Sequence, residues 1–234
     1  MSLPVAILAG GLANRLRPLT EQIPKALLDI AGKPFAVHQI ELLHQKGITD
    51  IVFCLGYLGE KVQETLGDGQ RWGVNLKYVF DGPTLLGTGG AIKKTLGYLG
   101  EAFFVLYGDS YLDCNYNLIE RCFRANNKSG LMTVFRNDNK WDLSNILFTG
   151  GHIVKYDKKN RTNDMHHIDY GLGILKATAF DKYPEGVAFD LGDVYRDLLS
   201  QNELIGFEVK ERFYEIGSTR GLEEIRQYLT KIGS

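Results

Sequence analysis

Two adjacent glycines, an arginine and a lysine near the start of the chain have the types and spacing to hold a polyphosphate. The stretch Leu8-Ala9-Gly10-Gly11-Leu12-Ala13-Asn14-Arg15-Leu16 leaves an apolar run, and Pro24-Lys25 follows it. A turn can present successive backbone N–H groups to phosphate oxygens only where no side chain blocks the approach, which suits Gly10 and Gly11. Arg15 adds a fixed guanidinium fork and Lys25 a mobile charge. Together they would neutralise a triphosphate whose charge shifts towards a leaving pyrophosphate. A glycine pair alone is equally a tight strand-to-helix turn, so the weight rests on the cations. At this turn the G-x-G-x-x-G spacing is absent and no Gly-Lys-Ser/Thr follows, which disfavours dinucleotide and P-loop readings. Gly108-Asp109 ends a second apolar run. A hard carboxylate there can ligate Mg²⁺ if phosphates and water supply the other ligands, or it can serve as a turn residue.

The chain between these groups predicts how they meet. Residues 4–8 are a short apolar run of the kind buried on both faces of a parallel sheet. Val37, Ile40 and Leu43 stand at helical spacing within 35–43, with Gly47 as a stop. Runs at 51–55, 76–80 and 102–107 predict strands, and 59–66 and 89–99 predict helices. This alternation predicts an α/β, doubly wound, mostly parallel sheet. Ligands of such sheets sit beyond the carboxyl ends of strands, so Gly10-Gly11 and Gly108-Asp109 should share one crevice.

After a helix near 118–125 the pattern changes. Segments 131–135, 144–148, 152–156 and 171–175 are separated by short polar turns, with Gly150-Gly151 a hairpin turn, which predicts an antiparallel region. A helix near 192–199, a strand at 204–209 and a closing helix over 219–231 follow. Without repeats or a Pro/Ser linker, one domain is expected, with halves 1–127 and 128–234.

Composition narrows the function. The 234 residues are 44% hydrophobic and 24% charged, with a formal net charge of -1. No global basic field exists for nucleic acid or an anionic membrane. Cys54, Cys114 and Cys122 lack the paired spacing of a zinc site and read as reduced thiols, and His166 and His167 read as loop polar groups. No apolar stretch approaches a membrane span, and the N-terminus runs directly into a strand, so a cytoplasmic protein is expected.

Leu8-Ala9-Gly10-Gly11, Arg15-Leu16, Pro18-Leu19-Thr20 and Pro24-Lys25 resemble the signature of the sugar-phosphate nucleotidyltransferases, which make NDP-sugars for polysaccharide biosynthesis. Many members have Gly-Thr where this chain has Ala13-Asn14. The resemblance implies a Rossmann-like, nucleotide-diphospho-sugar transferase fold with an inserted antiparallel sugar-binding region. It implies Mg²⁺ as cofactor, an NTP and a sugar 1-phosphate as partners, and nucleotide contacts from Leu8, Ala9, Gly10, Gly11, Arg15, Lys25, Gly87 and Thr88. Leu86-Gly87-Thr88-Gly89-Gly90-Ala91 resembles the block that packs on the base, most like enzymes using GTP with heptose or mannose 1-phosphate. Asp109 resembles the metal-binding Asp, with Arg15, Lys25 and Asp109 as the catalytic set. Phe213-Tyr214-Glu215-Ile216-Gly217 resembles a Trp-x-Asp-x-Gly block, with Glu215 as the second metal carboxylate in place of Asp.

For the acceptor, the resemblance implies Gly108, Lys158, Asp169 and Gly171. Lys155, Lys159 and Arg161 beside Lys158 leave the choice of cation open. D-glycero-D-manno-heptose 1-phosphate with GTP is the first reading. UTP, dTTP or CTP with another sugar, or an inactive nucleotide-binding module, are the alternatives. A monomer or homodimer is expected.

Overall fold

The computed structural model describes residues 2–232. The strands are β1 (Val5–Leu8), β2 (Asp29–Ile30), β3 (Lys33–Pro34), β4 (Asp50–Leu55), β5 (Asn75–Phe80), β6 (Ala102–Tyr107), β7 (Ser110–Tyr111), β8 (Gly130–Arg136), β9 (Ile146–Thr149), β10 (His152–Tyr156), β11 (His167–Lys176), β12 (Leu204–Val209) and β13 (Tyr214–Glu215). The helices are α1 (Phe35–Gln45), α2 (Gly59–Leu66), α3 (Gly87–Thr95), α4 (Tyr116–Asn126), α5 (Leu191–Ser200) and α6 (Thr219–Ile232).

The main sheet runs β10-β9-β11-β6-β1-β4-β5, with β8 against β11 and β12 against β8. Strands β6, β1, β4 and β5 are parallel. The antiparallel part enters through β11, which pairs antiparallel with both β6 and β8. The doubly wound reading therefore holds, and the antiparallel strands extend the same sheet.

Continuous apolar strands are explained by cover on both faces. Val5, Ile7, Phe53 and Phe104 pack with Ile40 and Leu43 of α1, Val62 of α2 and Phe123 of α4. Their neighbours Ala6, Val52, Cys54 and Phe103 point the other way, to Ile92 of α3 and Val194 and Leu198 of α5. A third cluster joins Leu16 and Leu28 to Phe35, Ile216, Leu222 and Ile225. It fastens the arginine loop and the lysine turn to α6.

Two small pairings carry no sequence periodicity. β2 and β3 make a short hairpin, and β13 pairs antiparallel with β7, aligning Tyr214 with Tyr111 and Glu215 with Ser110. One expectation is corrected. His167 is no loop residue; it opens β11, is buried, and lies 3.3 Å from Glu208. Burial outweighs that carboxylate and lowers the imidazole pKa. Cys54, Cys114 and Cys122 are free, and burial pushes the Cys54 thiol up to about 12. Among the described residues, no helix is long and apolar enough to cross a membrane.

Candidate active site

The carboxyl ends of β1 and β6 open into a chamber of about 250 Å³ lined by Leu8, Ala9, Gly10, Gly11, Lys25, Gly87, Thr88, Gly108 and Asp109. A second, of about 280 Å³, is lined by Arg15, Asp142, Asp169, Gly171, Glu215 and Gly217 among others. Both share Tyr107 and Asp109. Gly10, Gly11, Gly108 and Asp109 thus line one chamber, and Asp109 also borders the second. Gly108 sits in the wall of the first and Arg15 in that of the second. Lys158 lines neither.

Local chemistry explains why these turns are glycine. A Cβ on Gly108 would lie 2.5 Å from the Leu8 carbonyl oxygen, and one on Gly10 would lie 3.0 Å from the Gly56 nitrogen. Gly11 has nothing within 4 Å of that point, so it leaves open space on the chamber side. Ala13 has φ +50°, the left-handed region, which costs an alanine roughly 1–2 kcal/mol relative to right-handed backbone. The residue that departs from the family pattern therefore adopts the conformation a glycine would take freely. Its carbonyl accepts the Thr20 hydroxyl at 2.9 Å, which closes the loop carrying Arg15.

Gly87 opens α3 and lines the chamber with Thr88, and packing adds a second cause for the glycines of 86–91. Gly89 faces the Phe189 ring and Gly90 the Val187 carbonyl, so close packing of the 187–189 segment accounts for them. Gly87 combines φ +69° with a Cβ position 2.6 Å from the Phe189 carbonyl oxygen. Gly87→Ala is expected to destabilise the fold by about 2–3 kcal/mol, through overpacking and left-handed strain, and to lower the midpoint of a thermal melt. An unchanged melt would refute this packing account. Thr88 Oγ1 accepts the Leu191 N–H at 2.8 Å, joining α3 to α5.

Lys25 and Asp109 form an ion pair, Nζ to Oδ2 at 2.7 Å. Lys25 stands in a 3₁₀ turn whose Ala26 is buried, and Asp109 follows β6. Gln39 of α1 steadies that corner by donating from Nε2 to the carbonyls of Ser110 at 2.8 Å and Tyr107 at 3.3 Å. The Ile216 N–H donates to the Asp109 carbonyl at 2.9 Å, so the β7–β13 pairing sets Glu215 beside Asp109. The Glu215 side chain turns back on the entry to α6, accepting from the Gly217 N–H and, at 2.6 Å, from Ser218 Oγ.

A Cβ on Gly217 would lie 2.7 Å from Glu215 Oε2 and 3.5 Å from Asp109 Oδ2. The bare glycine thus leaves a cradle flanked by two hard carboxylates, a donor set that suits Mg²⁺. Among the described residues no group of three His, Cys, Asp or Glu gathers as a metal site. Phosphate and water would have to complete the shell.

Asp169 anchors the far wall at an irregular stretch of β11. Its Oδ1 accepts the Gly171 N–H at 3.1 Å, and its Oδ2 lies 3.3 Å from the Tyr156 hydroxyl and 3.5 Å from that of Tyr107. Burial, then the Asp169 charge, raise both phenols well above their usual range, so they stay neutral donors. Gly171, at φ +95°, passes close to Tyr107 and Ser110. Lys158 reaches 3.5 Å from the Tyr107 hydroxyl and stands over that ring. Lys155 instead reaches the Asn160 carbonyl at 3.3 Å. Arg15 has no hydrogen bond or ion pair among the described residues.

Sequence reasoning missed Tyr107, Gln39, Trp141 and Asp142. Gln39 left one signal, a polar residue between Val37 and Ile40 on an apolar helix face.

The model of the nucleotidyl transferase family matches residues 5–142. N-acetylmuramate alpha-1-phosphate uridylyltransferase of Neisseria meningitidis is 30% identical over 224 residues, 93% of this chain and 94% of its own length. A mannose-1-phosphate guanyltransferase of Gibberella zeae is 26% identical over 92% of this chain, which spans only 60% of that enzyme. The crystal structure of HddC from Yersinia pseudotuberculosis, complexed with GMP-PN, superposes with a TM-score of 0.81 at 25% identity, covering 97% of this chain and 99% of that one.

Proposed function

This chain belongs to the nucleotidyl transferase family, and from that membership we propose that it joins a nucleoside triphosphate to a sugar 1-phosphate, releasing pyrophosphate and an NDP-sugar. The observation that carries the reading is the pair of chambers meeting at Tyr107 and Asp109. Residues 1–127 supply the nucleotide chamber and 128–234 most of the acceptor chamber, within one domain.

No covalent nucleophile is needed. A sugar-phosphate oxygen forms a bond to the α-phosphorus as the bond from that phosphorus to the bridging oxygen breaks, and pyrophosphate leaves. Catalysis is then positioning and charge stabilisation. The Gly10-Gly11 turn holds the nucleotide where side chains would block it. Lys25, now on Asp109, is within the same chamber and turns to the leaving phosphates. Arg15, lacking a protein partner, meets phosphate at the junction. Lys158 swings from Tyr107 to the acceptor phosphate, and Asp169 accepts sugar hydroxyls. Asp109 and Glu215 would hold Mg²⁺, which when bound withdraws charge from the α-phosphate oxygens.

GTP and a heptose or mannose 1-phosphate are the preferred substrates. The guanyltransferase relative and the HddC complex support GTP. The Neisseria relative favours a second reading with UTP. The test is a matrix of common NTPs against glucose, mannose, heptose and amino-sugar 1-phosphates, scored by Mg²⁺-dependent pyrophosphate release. GTP with heptose 1-phosphate should give the highest kcat/KM. Nucleotide binding with no product from any pair would instead mark an inactive binding module.

A further inference from the structure

The charges lining the acceptor chamber are mostly negative. Beyond Asp109 and Glu215, proposed above to hold Mg²⁺, its wall carries Asp142 and Asp169, and its only lining cation among the described residues is Arg15. Among the described residues neither Asp142 nor Asp169 has an ion-pair partner. Asp169 is held by the neutral tyrosine hydroxyls and by Gly171. Among the described residues the Asp142 carboxylate accepts only the Leu143 N–H, at 2.6 Å, and the residue is exposed.

The loop presenting Asp142 is held by side chains. Asn137 Nδ2 donates to the Asp142 carbonyl, Asn137 Oδ1 accepts the Trp141 N–H at 3.3 Å, and Asn139 Oδ1 accepts the Ser144 N–H at 2.8 Å. The nearby cations pair with neither Asp: Lys158, over the Tyr107 ring, is the one taken above to meet the acceptor phosphate. Lys140 and Arg212 stand over the Trp141 ring, each at 4.6 Å, Arg212 also pairs with Glu224, and none of Lys140, Lys158 and Arg212 lines the chamber.

We propose that Asp142 and Asp169 are specificity-determining residues that restrict the acceptor to sugar 1-phosphates rich in hydroxyl donors and free of a carboxylate. This rests on the sugar 1-phosphate reading above. A hydroxyl meeting either Asp donates a charge-assisted hydrogen bond, whereas a sugar carboxylate meets an uncompensated like charge. The chamber therefore rejects the sugar-acid chemistry that the name of the Neisseria relative implies.

A matched pair tests it: glucose 1-phosphate against glucuronate 1-phosphate, which differ only in a hydroxymethyl or carboxylate at C6. The protein is expected to favour the neutral sugar by about 10²-fold in kcat/KM, mostly through KM, as for one poorly screened like-charge contact at the half-buried Asp169. Asp142→Asn should shrink that ratio about 3- to 10-fold, and Asp169→Asn, nearer the interior, by more. Calorimetric titration of both sugars into the protein loaded with an α,β-methylene NTP, whose α–β bridge cannot be cleaved, gives the same ranking without turnover. If no sugar 1-phosphate yields pyrophosphate, the transferase reading fails while calorimetry still decides this one. Equal or better use or binding of glucuronate 1-phosphate, or a ratio unmoved in both variants, overturns the proposal.

Discussion

Replacing Asp109 by alanine lowers kcat/KM for pyrophosphate release by roughly 10² to 10³, the usual cost of removing one preorganised electrostatic group. The loss falls on the chemical step, because Asp109 stands where the two chambers join and faces Glu215 across the Gly217 cradle. A second readout separates this from damage to the fold. Asp109→Ala removes the partner of Lys25, leaving that ammonium free for phosphate. Nucleotide affinity measured in EDTA should therefore hold or rise while turnover collapses. Unchanged turnover in a folded variant would remove Asp109 from the mechanism.

Lys25→Met is expected to have a comparable effect on turnover and an opposite one on metal. The Lys25 ammonium lies 2.7 Å from Asp109 Oδ2, and Glu215 is engaged by Gly217 and Ser218. A divalent ion approaching alone meets a carboxylate already neutralised. Removing the lysine charge should raise the affinity of the nucleotide-free protein for Mn²⁺ by about 10-fold or more, since unit charges at this range interact by about 1–4 kcal/mol between bulk-water and near-surface dielectric. Electron paramagnetic resonance of free Mn²⁺ reads this directly. Equal or weaker binding in the variant would show that the ion pair does not guard the site.

The parts of this site legible in the sequence rest on local rules. Gly10-Gly11 and Gly108-Asp109 were placed at one crevice because apolar runs bounded by glycine identify β1 and β6, and a parallel sheet aligns their ends. The helices over 59–66 and 219–231 were readable from periodicity to within a residue of their observed ends. What stayed hidden depends on partners far along the chain or on a rotamer. No spacing announces that Lys25 pairs with Asp109, that Gln39 reaches the β6–β7 corner, or that Glu215 folds back on Gly217. Asp142 was missed because its loop is shaped by Asn137, Asn139 and Ser144 side chains, which leave no period. His167 was misplaced because β11 begins earlier than its apolar run at 171–175, in residues whose burial comes from β8 and β9.

The short ladder between β7 and β13 has a consequence for the order of assembly. It pairs two residues of one strand with two of another, and the intervening chain closes a loop of roughly 100 residues, an entropic debt that local contacts cannot settle early. The Rossmann-like strands can dock while the polypeptide is still emerging from the ribosome, but the two carboxylates cannot face each other until β13 has been made. Phe189 against Gly87 and α6 behind the lysine turn are made late as well, so the nucleotide chamber and the carboxylate pair should both be completed only when the last quarter of the chain has been synthesised.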